Sequence, residues 1–134
     1  MATLLVHITV HAGAEATFEA LIADLYTTTH ADEPGVARYE YWRGSEPRTY
    51  YSLVSYANFD GFIAHQTSDH HEGASPRLRE MFESIRLEWV DPVSNASPLP
   101  PTEGSSPSSP IDDLTARYRE RFAAEIATWW LPLR

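Results

Sequence analysis

A chain of 134 residues, 43% apolar and 22% charged, has room for one globular domain and an appendage. Nineteen acids against ten bases leave a formal net charge of −9, and no basic stripe is present to displace counterions from phosphates, so nucleic acid is excluded as a partner. Cysteine is absent and every base is an arginine, which removes disulfides, thiolate nucleophiles, cysteine metal sites, Schiff bases and a phosphate-loop lysine.

The first element, Leu4–Val10, alternates: Leu4, Val6, Ile8 and Val10 share one face, and Leu5, His7, Thr9 and His11 the other. Gly13 ends this strand. Phe18, Leu21, Ile22 and Leu25 recur at helical spacing, which predicts a helix over Ala14–Thr29, stopped by Glu33-Pro34-Gly35. Val36–Arg43 and Thr49–Tyr56 are rich in aromatic and β-branched residues and flank Gly44-Ser45-Glu46-Pro47, a hairpin signal. Asn58 is placed to cap a short helix with Phe59, Phe62 and Ile63 turned to the core. A further helical stretch is expected from about Pro76 to Glu83, and Ser84–Val90 closes as a strand with Ile85, Leu87 and Trp89 on one face.

The order β-α-β-β-α-β is that of the ferredoxin-like split unit, an α+β fold over residues 1–93. Helices cover one face of such a sheet. The other face, carrying Leu5 and His7, needs a cover, and a second copy supplies one; a homodimer is expected. Ser94–Pro110 holds five prolines and six serines and reads as an extended linker. Residues 111–134 then read as one amphipathic helix, with Ile111, Leu114, Tyr118, Phe122, Ile126 and Trp129 on its apolar side and Asp112 and Asp113 at its start. Its expected role is to stabilise the dimer, with a lid over a pocket or a docking surface as alternatives. No apolar run approaches the ~20 residues that span a bilayer. The first residues lack the basic segment and apolar core of a secretory leader, so cytoplasmic residence without a membrane partner is expected. Neither Gly-x-Gly-x-x-Gly nor Gly-x-Ser-x-Gly occurs.

Several segments together resemble the antibiotic-biosynthesis-monooxygenase group of dimeric α+β barrels, which includes small quinol monooxygenases. They are Glu33-Pro34-Gly35-Val36, Arg38-Tyr39-Glu40-Tyr41, Ala64-His65-Gln66-Thr67-Ser68 followed by His70-His71, and the closing strand with Asp91-Pro92. The resemblance implies oxygenation of a quinol, polycyclic phenol or anthrone by O2 with no metal, flavin or other cofactor. A phenol bound as its anion donates an electron to O2 far more readily than the neutral molecule. The protein must then supply an apolar slot, a proton acceptor and donors for the oxyanion. Tyr56 stands where many relatives carry Trp. Haem-degrading relatives carry an Asn on the first strand and a Trp on the short helix; Val6 and His65 stand at those places, which argues against haem.

His65 is the leading candidate for a catalytic base or orienting group. It lies on the rim of the apolar helix face, and imidazoles ionise close to neutral pH. Tyr56 is the second catalytic candidate, as a hydrogen-bonding phenol. Tyr39, His70, Phe62 and Trp89 are candidate contacts for a small aromatic substrate. His65, His70 and His71 form His-x4-His-His, whose spacing misses the i, i+3 or i+4 pairing of a helical metal site, so no metal site is expected. Arg38 and Arg86 are expected to pair across strands with Glu40 or Glu88, and His7 and His11 to pack at the dimer interface. A dimer of the same fold that binds an aromatic ligand without catalysis is the alternative function.

Overall fold

The computed structural model describes residues 1–106 and 111–134. Its elements run β1 (Ala2–Val10), α1 (Glu15–Asp32), β2 (Val36–Arg43), β3 (Thr49–Tyr56), α2 (Phe59–Gln66), α3 (Asp69–Met81), β4 (Phe82–Trp89) and α4 (Asp113–Arg121), with a 3-10 turn at Leu131–Leu133. The four strands form one antiparallel sheet in the order β2-β3-β1-β4, the ferredoxin-like arrangement expected for the βαββαβ order.

Register sorts the side chains between the two faces. Leu4 lies opposite Val54 and Trp89, Val6 opposite Ser52 and Leu87, and Tyr39 opposite Val54. These residues share the face that α1, α2 and α3 cover. Phe18, Leu21, Ile22 and Leu25 of α1 and Phe59, Phe62 and Ile63 of α2 fill the space above it, all buried. The opposite face carries Leu5, His7, Leu53, Tyr51 and Trp42, and among the described residues no helix covers it; Trp42 is 62% exposed. His7 stacks edge-on against Tyr51 there, while His11 lies one residue beyond the strand. Arg38 and Arg86 do pair with Glu40 and Glu88, but along their own strands, two residues apart on the same face, rather than across strands.

The second half departs from expectation in three places. The helix expected at Pro76 begins at Asp69, because Ser68 caps it by accepting from the His71 N–H. Pro76 sits inside that helix without ending it, since Ala74, Leu78 and Met81 are anchored in the core. The expected linker is docked over part of its length: Thr102 is buried, its hydroxyl accepts from the Thr3 N–H, and its own N–H donates to Asp91. Residues 107–110 of that linker lie outside the described residues.

The tail is not one helix over 111–134. It is helical only from Asp113 to Arg121. Ala124 then exchanges hydrogen bonds with Ser105, and the Arg134 guanidinium reaches Asp91 and the Thr102 carbonyl. These bonds tie the chain to the domain instead of to the next helical turn. Trp129, expected to be covered, is 68% exposed. Among the described residues no helix is long and apolar enough to cross a membrane.

Candidate functional site

The site begins where α1 stops. Glu33 is the C-cap of α1, its N–H donating to the Thr29 carbonyl, and Pro34 prevents a further turn. This turn aims the Glu33 side chain across the top of the helical layer towards the junction of α2 and α3. There Ser68 donates from its hydroxyl to the His65 carbonyl at 2.7 Å and caps α3 in the same gesture, bending the chain between the two helices. Residues on separate helices are thereby brought together.

His65, with its side chain 1% exposed, places Nδ1 at 2.9 and 3.1 Å from the two Glu33 carboxylate oxygens. His70 Nε2 lies 2.8 Å from the same carboxylate. The Tyr56 hydroxyl, from the end of β3, donates to Glu33 Oε2 at 2.6 Å, and its ring stacks on His65 at 5.3 Å. Burial pushes the Glu33 carboxyl up, but the hydrogen bonds from His65 and Tyr56 and the pull of the His65 and His70 rings outweigh it and hold the group below the ordinary carboxylate range. Burial, then the Glu33 hydrogen bond and charge, raise the Tyr56 phenol far above its usual value, so it remains a donor.

An ionised carboxylate only accepts, so Nδ1 of His65 carries a hydrogen, and in the neutral form of the ring the lone pair is on Nε2. Among the described residues Nε2 has no hydrogen-bond partner. His71, next along α3, donates from Nδ1 to the Gln66 carbonyl at 3.1 Å. Burial and the neighbouring His65 push its imidazole down to about 3.

His65 borders a cavity of about 110 Å3 between the sheet and the helices. Leu4, Val54, Tyr39 and Phe62 make its apolar walls, and Gln66 and His71 lie beside His65. Ser52 contributes a buried hydroxyl oxygen with no hydrogen-bond partner among the described residues, and the Tyr41 hydroxyl donates to Tyr39 at 3.2 Å. α4 closes one side of the cavity with Tyr118, Arg121 and Phe122, and Phe122 meets Phe62 edge-on at 5.5 Å.

Of the residues singled out from sequence, His65, Tyr39 and Phe62 line this cavity and three do not. Tyr56 and His70 sit behind His65, on Glu33. Trp89 packs outside, against Phe59 and Phe62 at 6.0 and 5.1 Å. Glu33 was legible only as part of a helix stop, and Ser52, Arg79 and Arg121 carried no sequence signal.

Glu33, His65 and His70 bring three donor atoms within 4.8 Å of one another, the group among the described residues that could hold a metal ion. The spacing argument against a shared helix face does not apply, since the two histidines come from different helices. In the structure the carboxylate accepts from Tyr56 and from His65 Nδ1, and His70 Nε2 lies 2.8 Å from it.

The family model described as antibiotic biosynthesis monooxygenase matches residues 1–77. Solved structures agree with the fold. A Caulobacter crescentus protein provisionally named an antibiotic biosynthesis monooxygenase is 25% identical, covering 69% of this chain and 90% of its own, with a TM-score of 0.65. Rv0793 of Mycobacterium tuberculosis is 16% identical over 72% of this chain and 98% of its own, with a TM-score of 0.64. No curated protein matches the chain. The matched region contains β1 to β3, α2 and most of α3, and with them Glu33, Tyr56, His65 and His70. The chain belongs to the antibiotic biosynthesis monooxygenase family.

Proposed function

We propose that this protein is a homodimeric, cofactor-independent monooxygenase that oxidises a small phenol or quinol with O2. The observation that carries this reading is His65: Glu33 holds one ring nitrogen, the other has no hydrogen-bond partner among the described residues, and the side chain lines a largely apolar cavity. That is the arrangement of a general base with an orienting carboxylate.

A quinol ring would lie against Tyr39, Phe62 and Val54, with one hydroxyl directed to His65 Nε2 and another oxygen within reach of the unpaired Ser52 hydroxyl. His65 takes the phenolic proton, and Glu33 stabilises the imidazolium that results. The bound phenolate transfers an electron to O2, and the radical pair combines at a ring carbon to a peroxide anion that takes the proton back from His65 and becomes a hydroperoxide. Loss of the proton on that carbon and cleavage of the O–O bond then leave a carbonyl and release the second oxygen atom as water. No electrons from outside the substrate are needed.

Cavity size narrows the expected substrate. About 110 Å3 is less than the roughly 150 Å3 of an apolar cavity known to accept benzene, so one ring fits only by extending into the mouth. A polycyclic phenol or anthrone needs Phe122 and Tyr118 to move aside. The homodimer is supported by the uncovered sheet face, with Trp42 and Tyr51 exposed beside Leu5 and Leu53.

The test is oxygen uptake with hydroquinone and substituted monocyclic quinols, with and without chelator. Uptake above the uncatalysed rate that survives the chelator and falls at least a hundredfold in His65→Ala supports the proposal. Saturable quinol binding without oxygen consumption overturns it in favour of a ligand-binding dimer, and loss of activity to the chelator overturns the cofactor-independent part.

A further inference from the structure

The mouth of the cavity differs in character from its interior. Beside it lies a second hollow of about 350 Å3 lined by Glu72, Arg79, Leu114, Arg117, Tyr118 and Arg121, and Arg79, Tyr118 and Arg121 border both spaces. The chain carries a net charge of −9, so most of its guanidiniums have carboxylates at hand. Arg119, on the same helix as Arg117 and Arg121, is held by Asp60, and Arg43 by Glu19. Arg79, Arg117 and Arg121 have no such partner: among the described residues none of the three forms an ion pair. The one carboxylate in the hollow, Glu72, accepts the hydroxyl of Tyr118. Two guanidiniums outside any ion pair among the described residues, Arg79 and Arg121, thus border a largely apolar cavity that His65 also lines, with Arg117 and Glu72 in the adjoining hollow.

We infer that this mouth is an anion-binding subsite, and that the substrate is a monocyclic hydroxylated aromatic acid: its ring enters the cavity and extends into the mouth, and its carboxylate lies between Arg79 and Arg121. This inference rests on the proposed quinol chemistry and specifies the substrate class for it. The volumes agree with it, since the cavity is too small for a fused ring system while the mouth has room for a polar substituent. Guanidiniums suit a carboxylate because their planar N–H pairs match its two oxygens. Arg117, Tyr118 and Arg121 belong to α4, beyond the residues 1–77 matched by the family model, so this selectivity is a property of the chain's own extension.

Binding of 2,5-dihydroxybenzoate and of hydroquinone, measured anaerobically by calorimetry, tests it; the two ligands share the quinol ring and differ only in the carboxylate. The acid is expected to bind about tenfold more tightly, as suits contacts to two partly solvated guanidiniums. The ratio should shrink towards one in 0.5 M salt and in the Arg79→Gln/Arg121→Gln double variant. Equal affinities in the wild type, or a preference for the acid that persists in the double variant, overturn the subsite while leaving the quinol reading intact. If neither ligand binds, the quinol reading fails and the subsite with it.

Discussion

Glu33 and His65 are separated by 32 residues and meet at 2.9 Å, one at the end of α1 and the other in the last turn of α2. The contact determines which imidazole nitrogen is protonated and which is available to a ligand. Tyr56 reinforces it from a third element by donating to the same carboxylate. The arrangement resists tautomer exchange, because moving the hydrogen to Nε2 would set two acceptors against each other at Nδ1.

Replacing Glu33 tests the contact directly. Glu33→Gln keeps the shape but removes the charge that stabilises a protonated His65. Turnover of a monocyclic quinol should fall about 10- to 100-fold, with a stability loss of about 1–3 kcal/mol from the weakened bonds to His65 and Tyr56. Oxygen uptake and urea unfolding of the same sample separate the two effects.

Tyr56→Phe removes one of the bonds that hold the Glu33 carboxyl below its ordinary range. A carboxyl depressed in the folded state adds stability that is complete above its unfolded value and is lost as pH falls through its folded value. Without the Tyr56 bond the folded value rises towards the unfolded one, so the variant should lose less stability on acidification, and that loss should be complete at a higher pH. Unfolding free energies measured between pH 3 and 6 should converge for the two proteins at the acid end and separate, with the wild type more stable, as pH rises.

His71 has the opposite chemistry and the same direction. Its imidazole is pushed down to about 3 in the fold, so between that value and the ordinary histidine value the unfolded chain binds a proton that the folded chain does not. Stability should therefore decline as pH falls from about 6.5 towards 3. His71→Asn retains a donor for the Gln66 carbonyl and removes the titration. Its melting temperature should drop less than that of the wild type between pH 7.5 and 5.

Phe122 closes the cavity against Phe62, and Phe122→Ala should open it. The expected cost is about 1–3 kcal/mol, for a half-buried ring. The gain is measurable binding of a fused-ring phenol such as 1-naphthol, which the wild type should bind at least tenfold more weakly than the variant.

The uncovered sheet face makes its own prediction. Trp42→Asp places a charge on the uncovered face proposed as the dimer interface without touching the helix-covered core. Light scattering should report a dimer for the wild type and a monomer for the variant, with the far-ultraviolet circular dichroism unchanged.

Much of this protein is written locally. Alternation in β1, the aromatic hairpin of β2 and β3, and the three- and four-residue steps of α1 each name an element from a few neighbouring residues, because one apolar side must leave water. Their order then selects the ferredoxin-like sheet, and the resemblance carried by Glu33-Pro34-Gly35 and the His65 segment reached the family. Local pattern was less informative in the tail. Ile126 and Trp129 continue the helical period of Tyr118 and Phe122, yet Ser105 claims the Ala124 backbone, and the Arg134 side chain is held by Asp91 and the Thr102 carbonyl.

The site itself depended on contacts between elements. His65 was recognisable from its place on the rim of a helix, and Tyr39 and Phe62 from their density of apolar surface. Glu33 read as a helix stop, Ser52 as an ordinary strand residue, and Arg79 and Arg121 as solvated charge. Each acquires a role only when the turn after α1, the bend at Ser68 and the docking of α4 bring them to one cavity. Periodicity in the sequence reports which side of an element faces inward, whereas the identity of what it faces is a long-range contact, and only the folded chain contains it.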